Sequence, residues 1–183
     1  MLEPLTDDHL DLEIELDSDA EVLRYLFPRP HTPVETRAKH AERLERGRQV
    51  DGLGMWMGFL DDGRRHDWST FVGLYMLTPP HGPSQPKVPG LADLGYRIRR
   101  DRWRQGFARE GSLELLRHAF ETVGLDRVIA QTMAVNAGSR AVMASVGLTF
   151  VRPFEEEFDE PVPGAEHGEV EYTLTREQWL ARN

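Results

Sequence analysis

The 183-residue chain contains no cysteine. Disulfides, thiolate metal sites and a cysteine nucleophile are therefore excluded, and a cytoplasmic location is the expectation. No apolar run approaches the ~18 residues that a membrane helix needs. The opening, Met1-Leu2-Glu3-Pro4, has neither the basic start nor the apolar stretch of a signal peptide, so no membrane partner is expected. Positive charge is short. Lys and Arg number 22 against 31 Asp and Glu, and the net charge of −9 argues against nucleic-acid binding and favours a cationic substrate. The seven histidines are scattered, without HExxH or a close pair, so no metal site is expected. Ala144-Ser145-Val146-Gly147 lacks the leading glycine of a nucleophile elbow. Gly52-Leu53-Gly54 lacks the third glycine and the preceding strand of a dinucleotide fingerprint.

What is present reads as one mixed domain over residues 1–183, with no internal repeat. Thr6 can cap a helix to about Glu15, and Ser18 with Glu21 makes a capping box for Asp19 to Tyr25. Thr32-Pro33-Val34-Glu35 supplies a cap, a first-turn proline and an acid for a helix to Arg46, closed by Gly47. Strands are expected at Met55–Leu60 and Ser69–Leu77, flanking an Asp61-Asp62-Gly63 turn. Thr78 to Gly90 holds five prolines in thirteen residues and must be a stiff, exposed loop. Leu91 to Ile98 alternates as a strand. Beyond it, Leu113, Leu116, Phe120 and Val123 recur at helical spacing up to Gly124. A strand at Arg127–Met133, a helix from Asn136 to Val146 ended by Gly147, and a strand at Leu148–Phe154 follow. An acidic connection, Glu155–Glu166, leads to a strand at Glu169–Thr173 and a helix at Arg176–Ala181 boxed by Thr175 and Gln178. Strands and helices alternate only in the second half, which gives an α/β (α+β) fold class.

Chemistry concentrates between the strand at Leu91 and the helix at Phe107. Arg102-Trp103-Arg104-Gln105-Gly106-Phe107-Ala108-Arg109-Glu110 is a short basic turn entering a helix. There, unpaired backbone N–H groups can hold an anion. Gly106 and Ala108 keep the turn bare enough for a phosphate to reach them. Arg97, Arg99, Arg100, Arg102 and Arg104 would add positive charge; the bland alternative is a solvated edge whose arginines pair with Asp93, Asp101 or Glu110. Asn136 and Ser139 form a second constellation. It is either simple helix capping or a pair facing the same crevice, where neighbouring parallel strands part. Met55, Trp56, Met57 and Tyr75 read as core.

These residues resemble the GNAT acyl-CoA N-acyltransferases, and within them the branch of the ribosomal-protein N-terminal acetyltransferases. The resemblance begins at Leu5-Thr6 and Asp19 to Tyr25. It is strongest from Leu94-Gly95-Tyr96 through Trp103 to Glu110, continues in Asn136 to Met143 and Val146-Gly147-Leu148, and closes on Glu171 to Leu180. It implies a mixed, mostly antiparallel sheet split at its central strand and flanked by helices. Acetyl-CoA would serve as acyl-donor cosubstrate, with its pyrophosphate on the amides of Arg104, Gln105, Gly106, Phe107, Ala108 and Arg109. Its pantetheine would run along Tyr96, Ile98 and Arg99. Asn136 and Ser139 match the family's N-x-x-S, with the Ser139 hydroxyl placed to protonate the leaving thiolate.

The resemblance further implies transfer to an amine-bearing acceptor, either a protein N-terminus or a small molecule, by direct attack on the thioester. Asp93 stands where many relatives carry a glutamate base; Glu157 lies near the alternative carboxylate of the ribosomal-protein branch. Trp103, Arg104, Ser145 and Leu148 depart from the broad family pattern, and Ser145 replaces a common lysine, removing one phosphate contact. The proline-rich loop is longer than the family's usual hairpin. A homodimer is compatible with the sequence. The alternative reading is a catalytically silent acyl-CoA-binding sensor or interaction module.

Overall fold

The computed structural model describes residues 1–63, 66–156, 160 and 162–182. Its strands are β1 (Leu2–Pro4), β2 (Gly54–Phe59), β3 (Phe71–Thr78), β4 (Leu91–Ile98), β5 (Arg127–Met133), β6 (Thr149–Phe154) and β7 (Glu169–Thr175). They form a single sheet in the order β1-β2-β3-β4-β5-β7-β6. Every neighbouring pair is antiparallel except β4 and β5. The helices are α1 (Leu10–Asp17), α2 (Ala20–Leu23), α3 (Pro33–Gly47), α4 (Phe107–Arg117), α5 (Ala137–Ser145) and α6 (Arg176–Leu180).

The helices cover both sheet faces. On one face Leu115, Leu116 and Phe120, at and just beyond the end of α4, pack with Met143 of α5 and Trp179 of α6 against Ala92, Leu94 and Val128. On the other, Leu16 of α1 and Leu44 of α3 pack against Met57, Phe71 and Leu74. Each fully buried Leu or Phe contributes roughly 1.5–3 kcal/mol relative to exposure, so these two layers hold the sheet between helices.

One part of the second layer is ionic. Glu13 and Asp17 of α1 are fully buried. Glu13 accepts hydrogen bonds from Arg43 and His40 of α3. Asp17 accepts from Arg43 at 3.0 Å and from Arg97 of β4. Charges in such a setting persist because each is paired and hydrogen-bonded. Arg97 therefore joins α1 to the central strand.

Most expected elements are present, with instructive differences. β1 was not anticipated, because three residues ending in Pro4 carry no strand signal; it pairs with β2 as an edge, where proline is tolerated. The second helix is only Ala20–Leu23, and its cap is Asp19, which accepts from the Glu21 amide at 2.8 Å. Ser18 instead donates to the Glu15 carbonyl. The helix after the basic turn changes at His118 into a wider π-type turn through Val123, ended by Gly124 at φ 78°. The boxes at Thr32/Glu35 and Thr175/Gln178 are formed as expected.

Candidate active site

β4 is the strand on which the site is built. It pairs with β3 from Thr78↔Asp93 to Gly73↔Ile98. With β5 it shares only three positions, Leu91↔Arg127, Ala92↔Val128 and Asp93↔Ile129. Beyond Asp93 the two strands part. Arg99 donates its amide to Val72 on the β3 side at 2.9 Å. By the alternation of an antiparallel ladder, the peptide groups of Leu94, Tyr96 and Ile98 then point away from β3, into the opening. Arg99 faces the other way, and its guanidinium donates to the Trp68 and Phe71 carbonyls, pairs with Asp101 at 2.9 Å and lies over the Trp68 ring. The opening thus receives neither its amide nor its charge.

At the wide end of the opening stands the N-terminus of α4. Arg104 has φ 60° and Gly106 φ 92°, and these left-handed residues turn the chain into the helix. A β-carbon added at Gly106 would meet nothing within 4 Å, so the outer face of the turn is open. The first turn bond is Glu110 N–H to the Gly106 carbonyl at 2.9 Å. Among the described residues the amides from Arg104 to Arg109 have no carbonyl partner, and the Arg104 and Arg109 guanidiniums are unpaired. That is a cradle for an anion. Gln105 braces it by donating to the Asp101 carbonyl at 2.9 Å, and the Trp103 indole donates to the Ile98 carbonyl at 2.7 Å. Of the other arginines of the run, Arg97 is committed to Asp17 and Arg102 to the Ser69 carbonyl.

Tyr75, which the sequence marked only as core, ties this turn to the sheet. Its hydroxyl donates to the Phe107 carbonyl at 2.9 Å. Gly58 and Gly111 flank the ring, and a methyl group at either would overlap it. Burial pushes the phenol well above its ordinary range, so it remains a donor.

Inside the opening Tyr96 and Ser139 meet. The Tyr96 hydroxyl lies 3.2 Å from Ser139 Oγ and donates to the Ser139 carbonyl at 3.3 Å. Burial pushes the Tyr96 phenol up to about 12. Asn136 performs the capping role: its side-chain oxygen accepts from the Ser139 amide at 3.1 Å, and its Nδ2 donates to Thr132 at 3.0 Å. It positions Ser139.

Asp93 sits at the apex, on the sheet face opposite Tyr96, and is 6% exposed. Desolvation pushes its carboxyl up to about 7, against the lowering effect of a hydrogen bond from Gln85 and of nearby Arg46. Gln85 belongs to the proline-rich loop. Its Nε2 donates to Asp93 Oδ2 at 2.9 Å and to Gln131 Oε1 at 3.0 Å. Gln131 passes the chain on to Glu171 at 2.9 Å, and Arg152 pairs with Glu171 at 3.3 Å. No local sequence signal marks Gln85, which stands among prolines in a loop and meets Gln131 from 46 residues away. Glu157 lies outside the described residues.

A cavity opens near each end of β4. One of about 640 Å³ lies between α1–α2 and the end of β4, lined by Asp19, Trp68 and Arg100 among others. The other, about 450 Å³, lies under the proline-rich loop, with Gln85, Ile129, Val151 and Glu171 in its wall. No group of three His, Asp or Glu side chains suited to a metal occurs among the described residues. No helix among them is long and apolar enough to cross a membrane.

The fold and the sequence both have known counterparts. In solved structures the chain is similar to an acetyltransferase (GNAT family) from Bacillus anthracis, with TM-score 0.74 and 17% identity over 96% of this chain and 94% of that one. It is equally similar to a spermidine N-acetyltransferase from Vibrio cholerae solved with CoA and spermine, with TM-score 0.74 and 15% identity over 98% and 97%. At those identities the likeness establishes the fold. In sequence it is 40% identical over 182 residues to an FsC-acetyl coenzyme A-N(2)-transacetylase of Aspergillus fumigatus, covering 98% of this chain and 74% of the relative. Residues 1–149 match the model of the acetyltransferase (GNAT) domain. With its split sheet, its helix-entry cradle and a relative of this kind, the chain belongs to the GNAT family and is an acetyl-CoA-dependent N-acetyltransferase.

Proposed function

We propose that the protein transfers the acetyl group of acetyl-CoA to a primary amine of a small molecule, by direct attack of the neutral amine on the thioester. The observation that carries this reading is the opening beyond Asp93. It joins a free-amide cradle at Arg104–Arg109 to a hydroxyl pair, Tyr96 and Ser139, and to a carboxyl at its apex. The 40% identical relative, which bears the name of an N(2)-transacetylase, supports a small-molecule acceptor. The resemblance of the sequence to the ribosomal-protein branch keeps a protein N-terminus as the competing acceptor.

In this reading the donor's pyrophosphate rests on the amides of Arg104 to Arg109, with Arg104 and Arg109 adding charge. The edge of β4 at Leu94 and Tyr96, with the Ile98 amide, pairs with the amide-bearing arm. Bound there, acetyl-CoA supplies an activated acyl carbon and a thiolate leaving group. Asp93 has the proton affinity of a neutral-pH base and removes the proton that the amine must shed. A backbone N–H of β4 facing the opening polarises the carbonyl. Ser139, backed by the Tyr96 hydroxyl, delivers a proton to the sulfur. The atoms balance: a C–N bond forms, the C–S bond breaks, one proton leaves the nitrogen and one reaches the thiolate.

Calorimetric titration with acetyl-CoA, with CoA and ATP as controls, tests the donor site. Thiol release against a panel of small amines and an N-terminal peptide then tests the acceptor. Thiol release with a small amine but not the peptide is the expected result. A peptide-only substrate range would overturn the small-molecule assignment, and failure to bind either CoA species would overturn the site itself.

A further inference from the structure

The proline-rich loop does more than cross the surface. Gln85 is 8% exposed, and its carboxamide uses its full hydrogen-bonding capacity. Its two N–H bonds go to Asp93 and Gln131. Its oxygen accepts the backbone N–H groups of His81 and Gly82, each at 2.9 Å. One side chain therefore folds the loop on itself and closes it over the apex of the split sheet. Across β3 from Asp93 stands Thr78, fully buried, with its hydroxyl lacking a partner among the described residues. An acceptor group and an unpaired hydroxyl thus share one sheet face at the apex.

The smaller cavity opens directly beside them. Gln85 and Ile129, the cross-strand partner of Asp93, both belong to its wall. The larger cavity touches none of Asp93, Tyr96 or Ser139. The rest of the smaller wall is uneven in charge. Arg127 and Arg152 line it, with Glu171 as the carboxylate, and Glu171 is already engaged by Arg152 and Gln131.

We propose that the acceptor binds in this cavity, that Gln85 is the gate between it and Asp93, and that the acceptor is an amine whose neighbouring atoms carry a carboxylate or carbonyl oxygen. This deepens the acetyl-transfer reading and rests on it. A primary amine has the donor capacity of the Gln85 Nε2 group, so on replacing it the amine inherits the hydrogen bond to Asp93. The oxygen-bearing flank then meets the guanidiniums of Arg127 and Arg152. A polyamine has no group for them and places a second ammonium against positive charge.

Steady-state kinetics with three probes, an α-amino acid, its amide and spermidine, test the assignment. Val151→Trp and Arg127→Ala alter exposed positions of the cavity wall and leave the core intact. Both are expected to raise the KM of the amino acid or its amide at least tenfold, with the acetyl-CoA KM unchanged. Gln85→Leu removes a hydrogen bond that stabilises the Asp93 carboxylate, and the acidic limb of its rate profile should move to higher pH. Spermidine as the preferred probe, or an acceptor KM unchanged in both wall variants of an active enzyme, would overturn the proposal. Thiol release that no amine stimulates above the amine-free rate would sink the acetyl-transfer reading as well, so the two failures are separable.

Discussion

The Tyr75 hydroxyl donates to the carbonyl of Phe107, the first residue of α4, across 2.9 Å and from a strand thirty-two residues earlier. This bond fixes the height of the anion cradle over the sheet. Tyr75→Phe should lower stability by about 0.5–1.5 kcal/mol, the usual net value of one hydrogen bond. Its larger effect falls on donor binding, with a several-fold rise in acetyl-CoA Kd by calorimetry. An unchanged Kd would separate the bond from the cradle.

Gly106 gives a second handle on the same turn. At φ 92° any side chain is strained, by roughly 1–2 kcal/mol, yet the space around it is free. Gly106→Ala should fold and bind acetyl-CoA more weakly. Gly106→Glu should also fold and lose acetyl-CoA binding altogether, because a carboxylate then occupies the anion's place. Thermal melts and titrations on the same samples separate stability from binding.

The carboxyl of Asp93 predicts two pH effects of opposite usefulness. As a base it must be ionised, so the rate should fall as pH drops through about 7. Asp93→Asn should lower kcat by about 10²–10⁴-fold and erase that limb; unchanged turnover and profile would remove Asp93 from the mechanism. Folding responds with the other sign. Burial raises the carboxyl above its unfolded value of 3.8, so the folded chain holds the extra proton between 3.8 and about 7, and stability falls as pH rises through that window. Glu169, raised from 4.5 to about 7 by burial and by Glu156, adds to the same decline. Burial also lowers the pKa of His9, His31 and His81, which works in the opposite direction over the same range. The share of Asp93 is therefore read by comparison: in chemical denaturation at pH 5 and pH 8, the wild-type chain should lose more stability with rising pH, or gain less, than Asp93→Asn.

The ionic cluster under α1 is a structural matter. Glu13→Ala leaves Arg43 and His40 facing a buried gap, and breaking such a pair costs about 3–5 kcal/mol. For a chain of this size that corresponds to a melting temperature lower by roughly 10 °C, measurable by calorimetry. A change of a degree or two would mean that water reaches the cluster.

Local signals carried much of this molecule. The glycine and the bare turn at Gly106, the caps at Thr32 and Thr175, and the alternation of Leu91 to Ile98 are written within a few residues, and the structure forms them there. The arginine run was only half legible. Its composition says that charge is present, but whether Arg97 and Arg99 serve a ligand depends on Asp17 and Trp68, which lie 80 and 31 residues away. Tyr75 looked like core because its body is core, and only the tertiary fold shows its hydroxyl meeting α4. Gln85 was invisible for a similar reason, as its partner Gln131 is 46 residues distant.

The three-position join between β4 and β5 has a consequence for how the molecule comes apart. β1 to β4 form one continuous ladder and β5, β7 and β6 another, with only Leu91–Asp93 against Arg127–Ile129 between them. At such a seam few strand bonds hold the halves together, and the helical layer packed on both Ala92 and Val128 is what spans it. A molecule laid along the free edge of β4 bridges the two halves, so occupancy of the site and cohesion of the sheet become a single equilibrium.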